Sequence, residues 1–183
     1  ADWWTRLMNR SAVLILCVAC SLAAQTYLLT TIAGSSGGVG DGGPAAEARF
    51  ETLPAVAAAP AGDVFIVDGA RIRVLTSGGT IRTLAGRGVP GADGDSGPAL
   101  AATTAPNDVA VDRAGNVYIA ESLSPRVRKI TSDGTIRTVA GTGIGGFGGD
   151  GGPAAEAQLS GAAAVAVDSS GQVVERYRYD AWG

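Results

Sequence analysis

The repeat that decides the fold reads RIRVLTSGGTIRTLAG at residues 71–86 and RVRKITSDGTIRTVAG at residues 126–141, with 11 of 16 positions identical at an offset of 55 residues. The preceding segment VFIVD at residues 64–68 recurs as VYIAE at residues 117–121. Self-similarity at a fixed period of this size is the signature of a repeat architecture. The fold is therefore predicted to be a series of equivalent units.

Each unit shows the pattern of short antiparallel strands. In the second unit, polar and apolar residues alternate as in half-buried strands, and Gly115 and Asp133-Gly134 mark tight turns. The predicted strands cover residues 108–112, 116–120, 126–130 and 135–140. Four short strands per unit make the blade of a β-propeller. The predicted fold class is all-β, a β-propeller fragment of four-stranded antiparallel blades.

The repeat count predicts an open arc of about two and a half blades. Full blades are predicted at residues 53–86 and 106–141, a lone strand at 27–33 precedes them, and a partial blade at 163–174 follows. The unit is longer than a common four-stranded blade repeat, and its excess, for example residues 86–106, is predicted to be a long loop on one face. Because propellers close with four or more blades, we expect this chain to associate with itself.

The N-terminal region, residues 1–25, has the three parts of a secretory signal. A basic start at Arg10 precedes an apolar run at residues 12–19, and small residues follow at 21–25. We expect a cleaved signal, no stable membrane span after cleavage, and a secreted, periplasmic or cell-surface protein. A membrane anchor over residues 12–29 and lipidation of Cys20 are the alternatives.

The composition argues against several classes of function. The chain has no histidine and a net charge of −3. The commonest general base and zinc ligand are therefore missing, and no basic face points to nucleic acid. Its two cysteines, Cys17 and Cys20, both lie in the N-terminal apolar stretch, so no disulfide framework is predicted for the folded part. We expect a protein that is not an enzyme and has no cofactor.

A glycine-rich loop recurs three times and supplies the candidate site residues. It reads GDGGP, GDSGP and GDGGP at residues 40–44, 94–98 and 149–153. The repeat-loop residues are Gly40, Asp41, Pro44, Gly94, Asp95, Pro98, Gly149, Asp150 and Pro153. Their aspartates Asp41, Asp95 and Asp150 are weak candidates for calcium ligands, and an aspartate that caps its own turn explains the pattern equally well.

Recurring arginines form the second candidate set. They are Arg71, Arg73, Arg82, Arg126, Arg128 and Arg137. At alternate strand positions we expect them to point to solvent and to pair with the nearby acids Asp68, Asp112 or Glu121. The alternative is a face that binds an anionic ligand.

The combined motifs resemble NHL repeats of bacterial exported proteins over residues 26–174. The resemblance rests on the series VAVD, GNVYIA, RVRKI and TVAG, followed by the GDGGP loop. The long-loop variety is similar to the NHL propeller of teneurin-like proteins, and YRYDAWG at residues 177–183 is similar to a YD repeat of Rhs and teneurin-like shells.

This resemblance implies a non-enzymatic module for protein–protein interaction or scaffolding, whose partner is a protein or further propeller blades. The alternative is a remnant of a larger Rhs-like or teneurin-like surface protein or toxin. A fragment of an NHL-type lyase is the weakest possibility, because that chemistry relies on histidine and no histidine can be carried over.

Overall fold

The computed structural model describes residues 40–168 and the backbone of residues 173–174. The predicted signal, the predicted strand at residues 27–33 and the YD-like tail lie outside the described residues. Within the described part of the chain, no helix has the length and apolar character needed to span a membrane.

The first blade is a four-stranded antiparallel sheet with its strands in chain order. Its strands are β1 (Val56–Ala58), β2 (Val64–Asp68), β3 (Arg71–Leu75) and β4 (Ile81–Ala85). The β-branched and aliphatic residues of β2 and β3 are buried on both faces, as expected for inner strands covered by neighbours on each side.

The second blade repeats this arrangement with one addition. Its strands are β5 (Gly97–Pro98), β6 (Pro106–Val111), β7 (Val117–Glu121), β8 (Arg126–Ile130) and β9 (Thr135–Ala140). The four predicted strands are confirmed as β6 to β9, with small shifts in their bounds. Gly115 closes the predicted turn between β6 and β7 with a φ of 81°, a conformation that glycine adopts without steric cost.

The extra strand β5 corrects the prediction that residues 86–106 form only a loop. β5 pairs antiparallel with β9 and makes the second sheet five-stranded. A 3₁₀ turn at Ala99–Ala101 follows it. The segment folds back along the sheet because β9 would otherwise be an unpaired edge, and Ser96 N–H donates to Ile136 O at 2.7 Å. In the first unit the same contact is a single bridge between Pro44 and Thr80.

One apolar core joins the two blades. Val67 and Ile72 of the first blade and Val109 and Ile119 of the second blade belong to the same buried cluster. The apolar strand residues therefore form the core. Because the cluster crosses from one sheet to the next, each blade depends on its neighbour to bury its face.

The third unit is partly described. It contains a 3₁₀ turn at Ala154–Glu156, followed by β10 (Ala166–Val167) paired with β11 (Val173–Val174). The fold is thus all-β, an open β-propeller fragment with two complete blades and part of a third.

Candidate functional site

Two arginines lie at the same position in successive blades and are fully buried. Arg73 is the middle residue of β3 and Arg128 the middle residue of β8, and both side chains have 0% exposure. The expectation that these arginines point to solvent is therefore wrong for this pair. Arg82 and Arg137 are exposed as expected, while Arg71 is half-buried and pairs with Glu51.

In the second blade, Arg128 is held on several sides by the loop that precedes the blade. Its Nε and Nη2 atoms lie 2.8 Å and 2.7 Å from Oδ1 of Asp95. Nη1 donates to the Thr103 carbonyl at 3.0 Å and Nη2 donates to the Asp93 carbonyl at 3.2 Å. Since these are hydrogen bonds from a charged donor, they are stronger than neutral ones.

In the first blade, Arg73 is held in the same way. Nη2 donates to Asp41 Oδ1 at 2.7 Å and Nη1 donates to the Arg49 carbonyl at 3.0 Å. The guanidinium also lies over the ring of Phe50, 5.2 Å from its centroid, which adds a cation–π contact. We call this recurring unit of buried arginine, loop aspartate and loop carbonyl the arginine clasp.

The loop aspartate of each clasp also binds the last strand of its blade, which is β4 in the first blade and β9 in the second. Asp95 Oδ2 accepts hydrogen bonds from the amide and the hydroxyl of Thr138 at 3.2 Å and 2.6 Å, and Asp41 is hydrogen-bonded to Thr83 in the same manner. Partial burial raises the pKa of both aspartates, but the hydrogen bonds from threonine and the arginine charge outweigh burial, so the pKa of each carboxyl lies below its ordinary value.

The three loop aspartates that are weak candidates for calcium ligands, Asp41, Asp95 and Asp150, lie in three different loops. Asp41 and Asp95 each bind an arginine of their own blade rather than their own turn, and each aspartate lies in a different inter-blade loop. Asp150 is exposed. Within residues 40–168, no cluster of three or more potential metal ligands occurs.

A second acid completes each clasp from the end of the second strand. Asp68 Oδ2 is 3.5 Å from Arg73, and Glu121 Oε1 is 3.9 Å from Arg128. The predicted pairing of arginines with Asp68 and Glu121 is confirmed. Burial raises the pKa of Glu121 above its ordinary value, although the Ala105 amide and the Arg128 charge lower it. Its Oε2 atom is buried and accepts no hydrogen bond within the described residues.

The predicted pairing of an arginine with Asp112 is wrong. Asp112 instead closes the turn between β6 and β7, accepting hydrogen bonds from the backbone amides of Ala114 and Asn116 at 2.9 Å each. The Asn116 side-chain amide and the Tyr118 hydroxyl complete the network at 2.7 Å and 3.2 Å. Asp112 therefore acts locally, because its position after β6 places it over its own turn.

The clasp loop of the second blade is also fastened to the first blade. Gly86 N–H and Arg87 N–H, just after β4, donate to the carbonyls of Ala99 and Ala102 at 2.9 Å and 3.1 Å. Gly94 lets the loop fold back on itself, because a Cβ atom there would lie 2.8 Å from Cα of Ala102 in the same loop. One loop thus joins the end of one blade to the buried arginine of the next.

The repeat-loop residues are therefore structural in the first two units. Gly40, Gly94 and Gly149 all have φ between 75° and 95°, and Pro44, Pro98 and Pro153 each precede a 3₁₀ turn. The sequence interpretation missed the two threonines and the backbone carbonyls of the clasp. The threonines had a visible signal, since Thr83 and Thr138 occupy the same position of the repeated TIRT motif.

A separate surface carries exposed apolar side chains. Val89, Leu123, Ile144 and Phe147 are 50%, 70%, 66% and 93% exposed. Leu123 lies in the β7–β8 connection, Val89 follows β4, and Ile144 and Phe147 follow β9. These segments leave the two sheets at the same end, because the start of β3 pairs with the end of β4 and the start of β8 pairs with the end of β9. We call these residues the apolar loop face.

A shallow cleft opens between the blades at this end. It has a volume of about 210 Å³ and is lined by both blades. Gly69 and Ala70 contribute one side, and Asn107 and Leu123 the other. This volume lies below the roughly 300–1,000 Å³ of typical small-molecule sites, so the cleft suits a single side chain of a partner better than a whole ligand.

The fold and its clasps define a class: an open β-propeller fragment whose blades are joined by arginine-binding loops. No protein-family model matches the sequence, and neither does any curated protein. Among solved structures, the chain is similar to a structural-genomics protein of unknown function from Bacteroides thetaiotaomicron VPI-5482, with 25% identity and a TM-score of 0.50. The match covers 61% of this chain and 29% of that one.

Proposed function

We propose that this chain is a non-enzymatic NHL-type propeller module that binds a protein partner outside the cytoplasm. The single observation that carries the proposal is the apolar loop face. Large apolar side chains exposed on loops of a rigid scaffold are typical of protein-binding surfaces. Phe147, at 93% exposure, is the side chain with the most area to bury in a partner.

The chemistry of the clasps supports a scaffold role rather than catalysis. Arg73 and Arg128 are buried and already hydrogen-bonded, and arginine does not give up its proton in proteins. The acid with a raised pKa, Glu121, is fully buried. These groups stabilise the blades and present the loops at fixed positions.

The experiment is affinity capture from the extracellular and envelope fractions of the producing cell. Native chain on beads is compared with a Leu123→Ser/Phe147→Ser variant and with an Arg82→Ser/Arg137→Ser variant, which changes two exposed residues on the strands. We expect a partner that the native chain and the arginine variant retain and the apolar-face variant loses. Equal capture by all three would contradict the proposal, as would substrate turnover by the native chain.

A second candidate function is a structural one, as part of a larger Rhs-like or teneurin-like surface protein. Two observations favour it. The Bacteroides match covers only 29% of that chain. In the loop of the third unit, Ala154 is exposed and Ala157 is half-buried, whereas the equivalent alanines of the second unit are buried. In that case the apolar-face variant captures the same proteins as the native chain, whereas adding further blades raises the melting temperature.

A further inference from the structure

The loop of the third unit repeats the geometry of the two occupied clasp loops. Gly152 N–H donates to Gly149 O at 3.0 Å, as Gly97 donates to Gly94 at 3.2 Å. A 3₁₀ turn follows the proline in each case. The loop is also fastened to the preceding blade, because Gly141 N–H donates to Ala154 O at 2.9 Å. The third loop is therefore built and docked like the loop of the second unit.

The third loop differs in what covers it. In the second unit, Ala99 and Ala102 are 1% and 0% exposed. Their counterparts 55 residues later, Ala154 and Ala157, are exposed and half-buried. The same alanines in the first unit are buried against a cluster that includes Ile81 of the outermost strand.

The polar groups of the third loop show the same difference. In the second unit, Ser96 N–H donates to Ile136 O of β9 at 2.7 Å, and Ala99 N–H donates to Gly134 O, in the turn before β9, at 2.8 Å. Gly151 and Ala154 hold the equivalent amides, which make no such bond within the described residues. Asp150, the counterpart of Asp95, forms no ion pair or hydrogen bond within that same part of the chain.

We propose that this third loop, residues 149–158, is a preformed receptor for an arginine-bearing β-hairpin. The occupant is defined by the two filled receptors, which both hold the third and fourth strands of a unit. Its first strand carries Arg-x-Arg with an apolar residue two positions later, as in RIRVL and RVRKI, and the second arginine enters the clasp. Asp150 binds the guanidinium, the Gln158 carbonyl takes the role of the Thr103 carbonyl, and the returning strand covers Ala154 and Ala157.

The proposal is tested with a labelled peptide that copies residues 126–140, RVRKITSDGTIRTVA, titrated with the full chain. We expect saturable binding. An Arg128→Lys peptide keeps the charge but loses the planar donor geometry, so it should bind about tenfold more weakly or worse, whereas an Arg137→Lys peptide should bind equally well. Equal affinity for the native and Arg128→Lys peptides would overturn the proposal, as would no saturable binding.

A protein variant gives an independent arm. Asp150→Asn should weaken the native peptide about tenfold or more, while Glu156→Gln removes the same charge from the same exposed loop and should change affinity less than about twofold. Circular dichroism checks that both variants stay folded. Unchanged binding by Asp150→Asn would refute the receptor.

Hydrogen exchange identifies the occupant. The peptide should protect the amides of Gly151 and Ala154. Protection of these amides in the chain alone at every concentration would mean that the chain fills its own receptor. Protection that grows with chain concentration would assign the site to a second copy. Either result would overturn the hairpin proposal, and neither bears on the apolar loop face.

Discussion

Replacing Arg128 with methionine tests whether the arginine clasp stabilises the second blade. Methionine keeps much of the length and apolar volume of the stem but removes every hydrogen bond from the guanidinium. Asp95, the Thr103 carbonyl and the buried Glu121 then lose their cationic partner. Removing one member of a buried ion pair costs about 3–5 kcal/mol.

The structure places the expected loss at the lower end of that range. The Asp95 side chain is 37% exposed, so water partly replaces the arginine there, and Glu121 can bind a proton because its pKa is already raised. We therefore expect a loss of about 3 kcal/mol in the free energy of unfolding. For a domain of this size that corresponds to a melting temperature lower by about 10 °C.

The matched control is Arg137→Met, which changes an exposed arginine on the adjacent strand and should cost less than about 0.5 kcal/mol. Urea unfolding and thermal melts of the full chain, followed by circular dichroism, measure both variants. If Arg128→Met loses no more stability than Arg137→Met, the clasp does not hold the blade and the reasoning fails.

Four further outcomes follow from the geometry. The pKa of Asp95 is lowered in the folded state, so its ionised form stabilises the fold above the ordinary aspartate pKa of about 3.9, and this contribution is lost as pH falls. In Asp95→Asn, the free energy of unfolding should therefore depend less on pH at the acid end. An unchanged dependence on pH would contradict this. The raised pKa of Glu121 has the opposite effect: the protonated form stabilises the fold, and this contribution is lost as pH rises above the ordinary glutamate pKa of about 4.3 and through the folded-state value. In urea melts, the stability of Glu121→Gln relative to the native chain should therefore increase as pH rises, and a constant difference would argue against the shift. Gly141→Ala should destabilise far more than Gly115→Ala, because both have positive φ but only the Cβ on Gly141 meets a carbonyl, at 2.5 Å; equal melting temperatures would refute the steric argument. The open arc should self-associate, measured by light scattering, and a strict monomer with one sharp high-temperature transition would contradict it.

The strands of the blades could be predicted from the sequence because their signals are local. Alternation over a few residues, a hairpin dipeptide such as Asp133-Gly134 and the 55-residue period fix where strands begin and turn. The predicted bounds of β8 and β9 match the structure. The start of β6 was predicted two residues late, since Pro106 enters the sheet through an irregular pairing.

The clasp could not be predicted because its parts are distant in sequence. Asp95 and Arg128 are 33 residues apart, and an arginine on a strand is ordinarily solvated. One signal did exist. Period-two alternation puts Arg128 on the same face as Ile130, and Ile130 is buried. An arginine that shares a face with core residues needs an acidic partner, and the loop aspartates that lie 32 residues before Arg73 and 33 residues before Arg128 supply it.

The attachment of each loop to the preceding blade has a consequence for the order of assembly. The carbonyls of Ala99 and Ala102 are bonded by residues just after β4, so a completed blade holds the loop in place before the strands of the next blade exist. We therefore expect that, during synthesis from the N-terminus, a finished blade favours formation of the next blade beside it. Since the two blades share one buried cluster, a defect in one blade should weaken its neighbour as well as itself.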